Sequence, residues 1–443
     1  MELKKYKNNN KRKPYVLIVI GFLLISISAY LFYESYALYE EIKDFNVING
    51  TVEDPGDIYF AYYIDGEISR EMPSQNTGYT LNNEKTNCNN GVTVTWDNAS
   101  WEAKVNYKSY NATSNTRTKC TLYFNKTAKT VSTVLGNIEV NSYTPDFTKS
   151  SCDDETCESR EKGIYETTDY DGNPTYYYRG SAENNYVKFA GYYWRIIRIN
   201  SNGSVRMIYD GTSAHYNGEA SEDRRLKDTQ FNSSSSNKSS IGYMYTTDQI
   251  LGTGNSSILK TKIDEFYKNN LINYEKYIDK DVGFCGDRAI LSQSSSEFLN
   301  KSIYRVMYNK PTNICENDED YYTVSSTSNG NRALIYPIAT LSIYDAIYAG
   351  HAGTLTVGSL VSKKPTPSTY LICGFRYWTM TPAGLYAPFV GNTSYGFVYG
   401  VNSNGVLEEH GIGNQFFIKP VINIRSDVTI IGSGTMMDQY VVN

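Results

Sequence analysis

The chain has 443 residues, of which 40% are hydrophobic and 20% are charged, and its formal net charge is −5. This length is enough for two or three hydrophobic cores, and the composition is that of a globular protein rather than a disordered one. The mild acidic excess gives no reason to expect nucleic acid as a partner.

The beginning of the chain predicts a membrane anchor. A basic tail, residues 1–14, precedes an uninterrupted apolar run at residues 15–33, and residues 34–49 can continue the helix as a short stalk. A helix of that apolar length measures ~29 Å, which matches the ~30 Å hydrocarbon core of a bilayer. The basic flank predicts a cytoplasmic N-terminus and an extracellular body. The alternative is a cleaved signal peptide, with Ser26 and Ser28 near the cleavage site.

The seven cysteines fit an exported protein. Outside the cell their spacing favours disulfide bonds, although sequence alone leaves the pairing open. The candidates for disulfide bonds are Cys88, Cys120, Cys152, Cys157, Cys285 and Cys315. We expect the remaining one, Cys373, to be buried. Zinc is disfavoured, because the sequence has no CxxC pair and no HxxxH pattern.

Residues 50–126 predict a small all-β module that acts as a spacer. The segment IYFAYYIDGEI contains the dipeptide Asp65-Gly66, which is typical of two-residue hairpin turns. Alternating apolar residues on both sides of DNAS predict a second pair of strands, and TLYF predicts another strand. We interpret residues 127–160 as a linker, in which a short helix from Ala128 to Leu135 is possible.

Residues 161–443 combine strand and helix patterns and predict an α+β domain. In SSILKTKIDEFYKNNL, Ser256 or Ser257 begins a helix whose apolar face is formed by Leu259, Ile263, Phe266 and Tyr267. In SIYDAIYAG, Ser342 begins a helix, Asp345 completes a capping box and Gly350 ends it. The preceding ALIYPI predicts a strand.

The turn Asn-Ser-Asn-Gly occurs twice, at residues 200–203 and 402–405, each time between apolar runs. The two stretches are either copies of one repeat or two hairpins of a single domain. Predicted helices lie between them, and SVRMIY shares no pattern with VLEEHG. The sequence therefore favours one domain.

Several motifs in one order resemble a known family. YYWRIIRI with its glycine turn, EFYKNNL, FCGDR, YWTMTP, GFVYGVNSNGVL and IKPVINI resemble a family of bacterial surface domains without an assigned activity, over roughly residues 175–430. That family is similar in layout to the C-type-lectin-like fold of formylglycine-generating enzymes and phage tropism receptors. The resemblance implies a single head in which the first and last strands pair, so the strand of Trp194 should lie beside residues 418–424.

Loops on such a rigid scaffold favour binding over catalysis. The turn-rich loop 385–395 carries aromatic and amide side chains suited to an adaptable contact surface. We predict a ligand-facing group formed by Tyr386, Phe389, Asn392, Tyr395 and His410. Trp194 and Trp378 should belong to the core, and Arg195 and Arg198 should pair with acidic residues beneath the loops.

Chemistry with a metal or cofactor is not indicated. The sequence contains no phosphate-binding loop, dinucleotide fingerprint or nucleophile elbow. Calcium at Asp169, Asp171 and Asn173, or at Asp318 and Asp320, is disfavoured because neither group spans a calcium-binding loop. Cys373 is the nearest candidate for the cysteine chemistry that the formylglycine resemblance implies, but a buried structural thiol is the favoured interpretation.

The combined prediction is an N-terminal transmembrane helix, a small all-β sandwich-like spacer and a C-terminal C-type-lectin-like α+β domain. The function expected of it is non-catalytic recognition or adhesion at the cell surface, with a glycan or a protein as the ligand and no cofactor. The alternatives are a structural component of the cell envelope and a degenerate enzyme of the formylglycine-generating type.

Overall fold

The computed structural model describes residues 58–74, 79–97, 100–106, 117–126, 128–136, 138–147, 162–169, 171–233, 237–294, 297–324, 329–351, 369–387 and 395–442. The apolar run at residues 15–33 lies outside these ranges, as do Cys152 and Cys157. Within the described ranges, no helix has both the length and the apolar character needed to cross a bilayer. The contacts divide the chain into two compact units, with the boundary after Lys126.

In the smaller unit, which ends at Lys126, every regular element that the structure describes is a β-strand. They are β1 (Ile58–Ile64), β2 (Glu67–Ser69), β3 (Tyr79–Leu81), β4 (Asn87–Cys88), β5 (Thr93–Asp97), β6 (Glu102–Asn106) and β7 (Thr118–Lys126). The sheet order is β2–β1–β7–β3, with β4 also paired to β7, while β5 and β6 form a separate ribbon. The predicted Asp65-Gly66 hairpin is confirmed, because Ile64 pairs with Glu67 across it.

The smaller unit has a small core around the central strand β7. Its buried residues are Tyr62, Leu81, Leu122 and Phe124, and Trp96 and Trp101 pack against them. Cys88 and Cys120 are cross-strand partners of β4 and β7 and form a disulfide bond. This pairing joins the edge of the sheet to its centre.

In its described residues, the larger unit contains four α-helices and the remaining strands. The helices are α1 (Val131–Leu135), α2 (Ile258–Asn270), α3 (Lys301–Met307) and α4 (Ile343–Tyr348). The strands of the first half are β8 (Lys129–Thr130), β9 (Gly163–Thr168), β10 (Pro174–Arg179), β11 (Tyr186–Phe189), β12 (Tyr192–Ile199), β13 (Val205–Gly211), β14 (Leu226–Thr229), β15 (Met244–Tyr245), β16 (Asn255–Ser256), β17 (Phe284–Cys285), β18 (Ile290–Gln293) and β19 (Phe298–Asn300). The later strands are β20 (Tyr321–Tyr322), β21 (Ala339–Thr340), β22 (Tyr377–Tyr386), β23 (Tyr395–Val401), β24 (Leu407–Gly411), β25 (Phe416–Ile418), β26 (Pro420–Ile424), β27 (Thr429–Ile431) and β28 (Tyr440–Val442).

Two large sheets organise this unit. The first has ten strands in the order β21–β26–β13–β12–β11–β28–β27–β8, with β10 on β12 and β9 on β10. The second has seven strands in the order β14–β25–β22–β19–β18, with β23 on β22 and β24 on β23. The fold is therefore mostly β, as expected for the strand-rich part of the α+β prediction.

The two sheets and the helices share one hydrophobic core. Trp194 of the first sheet and Trp378 of the second are both fully buried, as predicted. Ser257 caps α2 by accepting the N–H of Lys260, and Ser342 caps α4 by accepting the N–H of Asp345. The predicted apolar face of α2 is buried, and every residue of α4 is buried.

Three local predictions are wrong. Residues 128–136 are not a linker, because β8 pairs with β27 and the side chains of α1 enter the large core. ALIYPI contains no strand, and the short strand β21 begins only after it. The strand of Trp194 does not lie beside β26, because β13 separates them and pairs with both.

A second disulfide bond lies in the larger unit. Cys285 and Cys315 are joined, with 5.6 Å between their Cα atoms. Cys373 is a free thiol and is buried, as predicted.

Candidate functional site

The two Asn-Ser-Asn-Gly turns have the same local structure. The N–H of Asn200 donates to the carbonyl of Ser204 at 2.8 Å, and the N–H of Asn402 donates to that of Val406 at 2.8 Å. Their glycines, Gly203 and Gly405, have φ angles of +78° and +82°, a region that favours glycine. The first turn joins β12 to β13 and the second joins β23 to β24, so they are hairpins of different sheets.

The first turn forms part of the wall of a cavity in the larger unit. The cavity has a volume of about 270 Å³ and is lined by Asn200, Ser201 and Asn202 together with charged groups from distant parts of the chain. Three kinds of side chain define its chemistry, namely two buried guanidinium groups, amide groups and exposed carboxylates. We call it the arginine cavity.

The buried side of the arginine cavity is built on Arg198 and Arg206. They are cross-strand partners on β12 and β13 and lie next to the carboxylate of Asp345, at the start of α4. Arg198 Nη2 donates to Asp345 Oδ1, and Arg206 Nη1 lies 3.8 Å from Asp345 Oδ2. The prediction that Arg198 pairs with an acidic residue is therefore confirmed, as is the equivalent one for Arg195, whose Nη1 lies 3.9 Å from Asp210 Oδ2.

Opposite charges stabilise the buried group formed by Arg198, Arg206 and Asp345. Burial, together with the positive charge of Arg198, lowers the pKa of Arg206 to about 10, and the carboxylate of Asp345 opposes this shift. Burial alone would raise the pKa of Asp345, but the two guanidinium groups hold that pKa below its usual value. The carboxylate is therefore charged at neutral pH, and it is shared by two cations.

The hydrogen-bond donors of the two arginines differ in what they contact. Arg206 Nε donates to Asn423 Oδ1 at 3.2 Å, and Arg206 Nη2 donates to the carbonyl of Gly283. By contrast, Nε and Nη1 of Arg198 have no hydrogen-bond acceptor in the described part of the chain, although the side chain is only 9% exposed. Asn313 also lines the cavity, and its buried Nδ2 has no acceptor there either. Arg198 and Asn313 therefore bring to the lining of the cavity hydrogen-bond donors that no described residue satisfies.

Carboxylates surround the exposed side of the cavity. Asp169 accepts the N–H groups of Asp171 and Asn173 on Oδ1, and the hydroxyl of Ser201 on Oδ2. Asp171 accepts Asn329 Nδ2 at 2.8 and 3.0 Å. The side chain of Asp281 is exposed and makes no hydrogen bond with the described residues.

The structure places only part of the predicted ligand-facing group. Tyr386 and Tyr395 are cross-strand partners at the ends of β22 and β23, and Tyr395 is 44% exposed. The aromatic ring of Tyr386 stacks on Phe397 with 4.4 Å between centroids. Phe389 and Asn392 lie outside the described residues. The group as a binding surface stays a prediction.

Two of these predicted residues have structural partners. The hydroxyl of Tyr386 donates to Glu409, which also accepts the hydroxyl of Tyr399 at 2.9 Å, and burial raises the pKa of Glu409. His410 packs its ring edge-on against Phe416 at 4.4 Å. Burial, with a contribution from the charge of Arg376, lowers the pKa of His410 to about 4. His410 is therefore neutral at physiological pH and belongs to the aromatic packing around Trp378.

A serine, a histidine and a carboxylate come together at the loop that follows β13, but they do not form an activated nucleophile. Ser213 Oγ lies 3.2 Å from His215 Nε2, and His215 Nδ1 lies 3.0 Å from Glu219 Oε1. However, His215 Nε2 is also 2.8 Å from Asp223 Oδ1, and Ser213 Oγ donates to Asp223 Oδ2. The imidazole is therefore held between two carboxylates, and Ser213 donates its hydrogen bond to the carboxylate of Asp223 rather than to an imidazole that could act as its base.

Metal ligation finds little support in the described residues. They contain no group of three or more histidine, cysteine, aspartate or glutamate side chains arranged to hold a metal ion. Of the residues weighed for calcium, Asp320 is buried and paired with Arg288, and the oxygens of Asp169 accept protein hydrogen bonds. Cys373 is 1% exposed, and its Sγ lies 3.9 Å from the carbonyl oxygen of Phe375.

Comparison with known proteins adds no relative. No family model matches the sequence, and neither the curated proteins nor the solved structures contain a significant match.

The sequence does not predict the cavity, although it predicts the kind of partner that one of its residues has. It indicates an acidic partner for Arg198, whereas no prediction covers Arg206 or Asp281. The available signal is the presence of arginines in two otherwise apolar runs, with Arg195 and Arg198 before the turn at residues 200–203 and Arg206 after it. Charged residues in buried strands are rare unless they are paired or functional.

Proposed function

We propose that the protein is a membrane-anchored bacterial surface protein whose larger unit recognises a ligand without transforming it. The basic tail and the apolar run at residues 15–33 support the anchor. Two disulfide bonds support an oxidising compartment outside the cytoplasm. The likeness of the motifs to a family of lectin-like surface domains supports recognition as the task.

The observation that carries the binding proposal is the open donor set of Arg198. A guanidinium that is largely buried normally has its donors satisfied by protein acceptors, because an unpaired buried donor costs about 1–3 kcal/mol. Here Nε and Nη1 have no acceptor among the described residues, and Arg198 lines the arginine cavity. An ion pair with a purely structural role would have no need of this opening.

A second surface supports contact with a larger partner. Tyr386 and Tyr395 end a long hairpin, and the 44% exposure of Tyr395 leaves an aromatic ring available for stacking on a sugar or a side chain. Contacts at this surface would make binding of a larger partner tighter and more specific than contacts in the small cavity alone. It is the place where glycan or protein adhesion is proposed.

The test uses the full chain, purified in detergent and presented at high avidity on arrays of glycans and of surface proteins. We expect a binding signal that Tyr395→Ala lowers at least fivefold, with Tyr386→Phe as a milder variant. The matched control is Tyr216→Ala, because Tyr216 is 68% exposed elsewhere on the unit. The absence of any signal would favour a structural envelope component instead.

Export is tested separately on intact cells. A membrane-impermeant protease should cleave the chain after the apolar run, and mass spectrometry should find Cys88 joined to Cys120. A protected chain with reduced cysteines would contradict the proposed location.

A further inference from the structure

The arginine cavity has opposite charges at its inner and outer sides. Arg198 and Arg206 lie at the buried side with a single carboxylate, Asp345, between them. The carboxylates of Asp171 and Asp281 lie at the exposed side. Asp279 is nearby, but its carboxylate does not line the cavity and already accepts Asn202 Nδ2 at 2.8 Å. A ligand entering the cavity therefore meets negative charge first and open guanidinium donors last.

We propose that the arginine cavity binds a small zwitterion, with its carboxylate on Arg198 and its ammonium group on Asp281. This inference rests on the proposed function, since it names the ligand class of the recognition unit. The inner anion completes the donor set of Arg198, for which guanidinium–carboxylate pairs are well suited. The outer ammonium pairs with the exposed carboxylate of Asp281, which has no hydrogen bond within the described residues and interacts with Arg425 only through its charge.

Other simple ligand classes fit less well. An inorganic dianion would face the carboxylates at the mouth, and like charges repel there. A plain cation would be attracted to the mouth but repelled by Arg198 at the buried side. A neutral sugar could accept hydrogen bonds from the guanidinium, but it would bring no positive charge to the carboxylates at the mouth. Only a molecule with both charges matches both sides of the cavity.

The volume of the cavity also limits the size of the ligand. Its volume of about 270 Å³ lies just below the range of typical small-molecule sites, ~300–1,000 Å³. The ligand should therefore be compact, with its two charges a few bonds apart. Free α-amino acids have this size and this charge arrangement.

The first experiment measures binding of the common protein amino acids, each at millimolar concentration, to the full chain in detergent. Thermal shift identifies the best probe, and titration calorimetry gives its Kd. The matched probes are the carboxylic acid that lacks its amino group and the amine that lacks its carboxylate. We expect each analogue to bind at least about tenfold more weakly, because each loses one charge-assisted contact.

The second experiment changes the protein. Asp281→Asn should weaken binding of the best amino acid about tenfold. Asp228→Asn removes an equally exposed carboxylate away from the cavity and should leave the Kd unchanged. Arg198→Gln should abolish binding, but this variant disturbs a buried ion pair and is interpreted only if its unfolding remains cooperative. Asp281→Asn keeps the proposal testable if Arg198→Gln fails to fold.

The outcomes separate this inference from the proposed function. Binding of the carboxylic acid as tightly as the amino acid would overturn the zwitterion and leave a simple anion site. An unchanged Kd in Asp281→Asn would also overturn it. If no amino acid binds while the arrays give a partner that depends on Tyr395, the cavity inference is wrong and the recognition function stands. If neither binding is found, both are wrong.

Discussion

Arg198 and Arg206 face each other across the β12–β13 hairpin of the larger unit, and both share the carboxylate of Asp345. The three side chains are buried, so the single negative charge compensates two positive ones in a site of low dielectric. The hairpin and α4 are brought together at this point, because Asp345 belongs to the first turn of the helix. The stability of the unit should depend strongly on this carboxylate.

Asp345→Asn tests that dependence. The substitution keeps the side-chain shape but leaves two neighbouring guanidinium groups without a counter-charge, so we expect the free energy of unfolding to fall by about 3–5 kcal/mol. Chemical denaturation measures the change. Asp228→Asn, at an exposed position, is the control and should stay within about 0.5 kcal/mol of the unmodified chain. Equal stability of the two variants would show that Asp345 does not balance the arginines.

The two identical turns allow a matched comparison of glycine substitutions. Gly203→Ala and Gly405→Ala both place a Cβ at a positive φ, which costs about 1–2 kcal/mol. The Cβ at Gly203 would meet Ser426 Cβ at 3.3 Å, whereas that at Gly405 would meet His351 Cε1 at 2.8 Å. We expect Gly405→Ala to destabilise the unit more, by about 1–3 kcal/mol beyond the shared cost. Equal losses would mean that His351 moves away freely.

Buried histidines should make the larger unit less stable in mild acid. Burial lowers the pKa of His351 to about 4 in the folded chain, against 6.5 when unfolded, and that of His410 likewise to about 4. As the pH falls from 6.5 to 4, the unfolded chain binds protons that the folded chain does not. Each histidine therefore removes about 3 kcal/mol of stability across this window.

The measurement compares pH profiles between variants. Glu409 acts in the opposite direction, because burial raises its pKa and its protonation on acidification favours the folded chain. The total profile mixes these effects, so the informative quantity is the difference in unfolding free energy between the unmodified chain and His351→Gln at each pH. That difference should change by about 3 kcal/mol between pH 7 and pH 4. A constant difference would contradict the depressed pKa.

Loss of its disulfide bond should affect the smaller unit more than the corresponding loss affects the larger unit. Cys88–Cys120 and Cys285–Cys315 close loops of similar length, with sequence separations of 32 and 30, so each should contribute about 3–4 kcal/mol. The smaller unit has only a small described core, and we expect the double substitution Cys88→Ala, Cys120→Ala to expose β1–β7 to proteolysis. Cys285→Ala with Cys315→Ala is the matched control and should leave the larger unit resistant. Protection of the smaller unit without its disulfide would contradict this ranking.

The features that the sequence predicts correctly are turns, helix caps and buried side chains, which depend on neighbouring residues. The Asp65-Gly66 hairpin, the cap at Ser257 and the cap at Ser342 each depend on a few neighbouring residues, and all three occur in the structure. The burial of Trp194 and Trp378 followed from apolar runs around them. Patterns of this kind report the residue's own segment and need no knowledge of the rest of the fold.

The features that the sequence does not predict depend on contacts between residues far apart in the chain. The strand order β26–β13–β12 could not be read from the sequence, because pairing is chosen among several similar apolar runs. Val131 and Leu135 stand in a Thr- and Ser-rich segment, so their place in the large core was hidden by composition. The arginine cavity joins residues from Asp169 to Tyr344, and no local pattern marks such an assembly.

The preceding chain enters the larger unit at β8, an edge strand of the first sheet. β8 contributes two residue pairs, Lys129 with Ile430 and Thr130 with Thr429, and it lies at the edge of the sheet. Tension transmitted along the preceding residues would reach these pairs one after the other. Once they part, the load would fall on the N–H groups of Val131 and Ser132, which donate to the carbonyls of Val428 and Ser426 at 2.9 and 3.0 Å, and on the buried side chains of Val131 and Leu135. The resistance of this edge to tension therefore comes from backbone hydrogen bonds and apolar packing together.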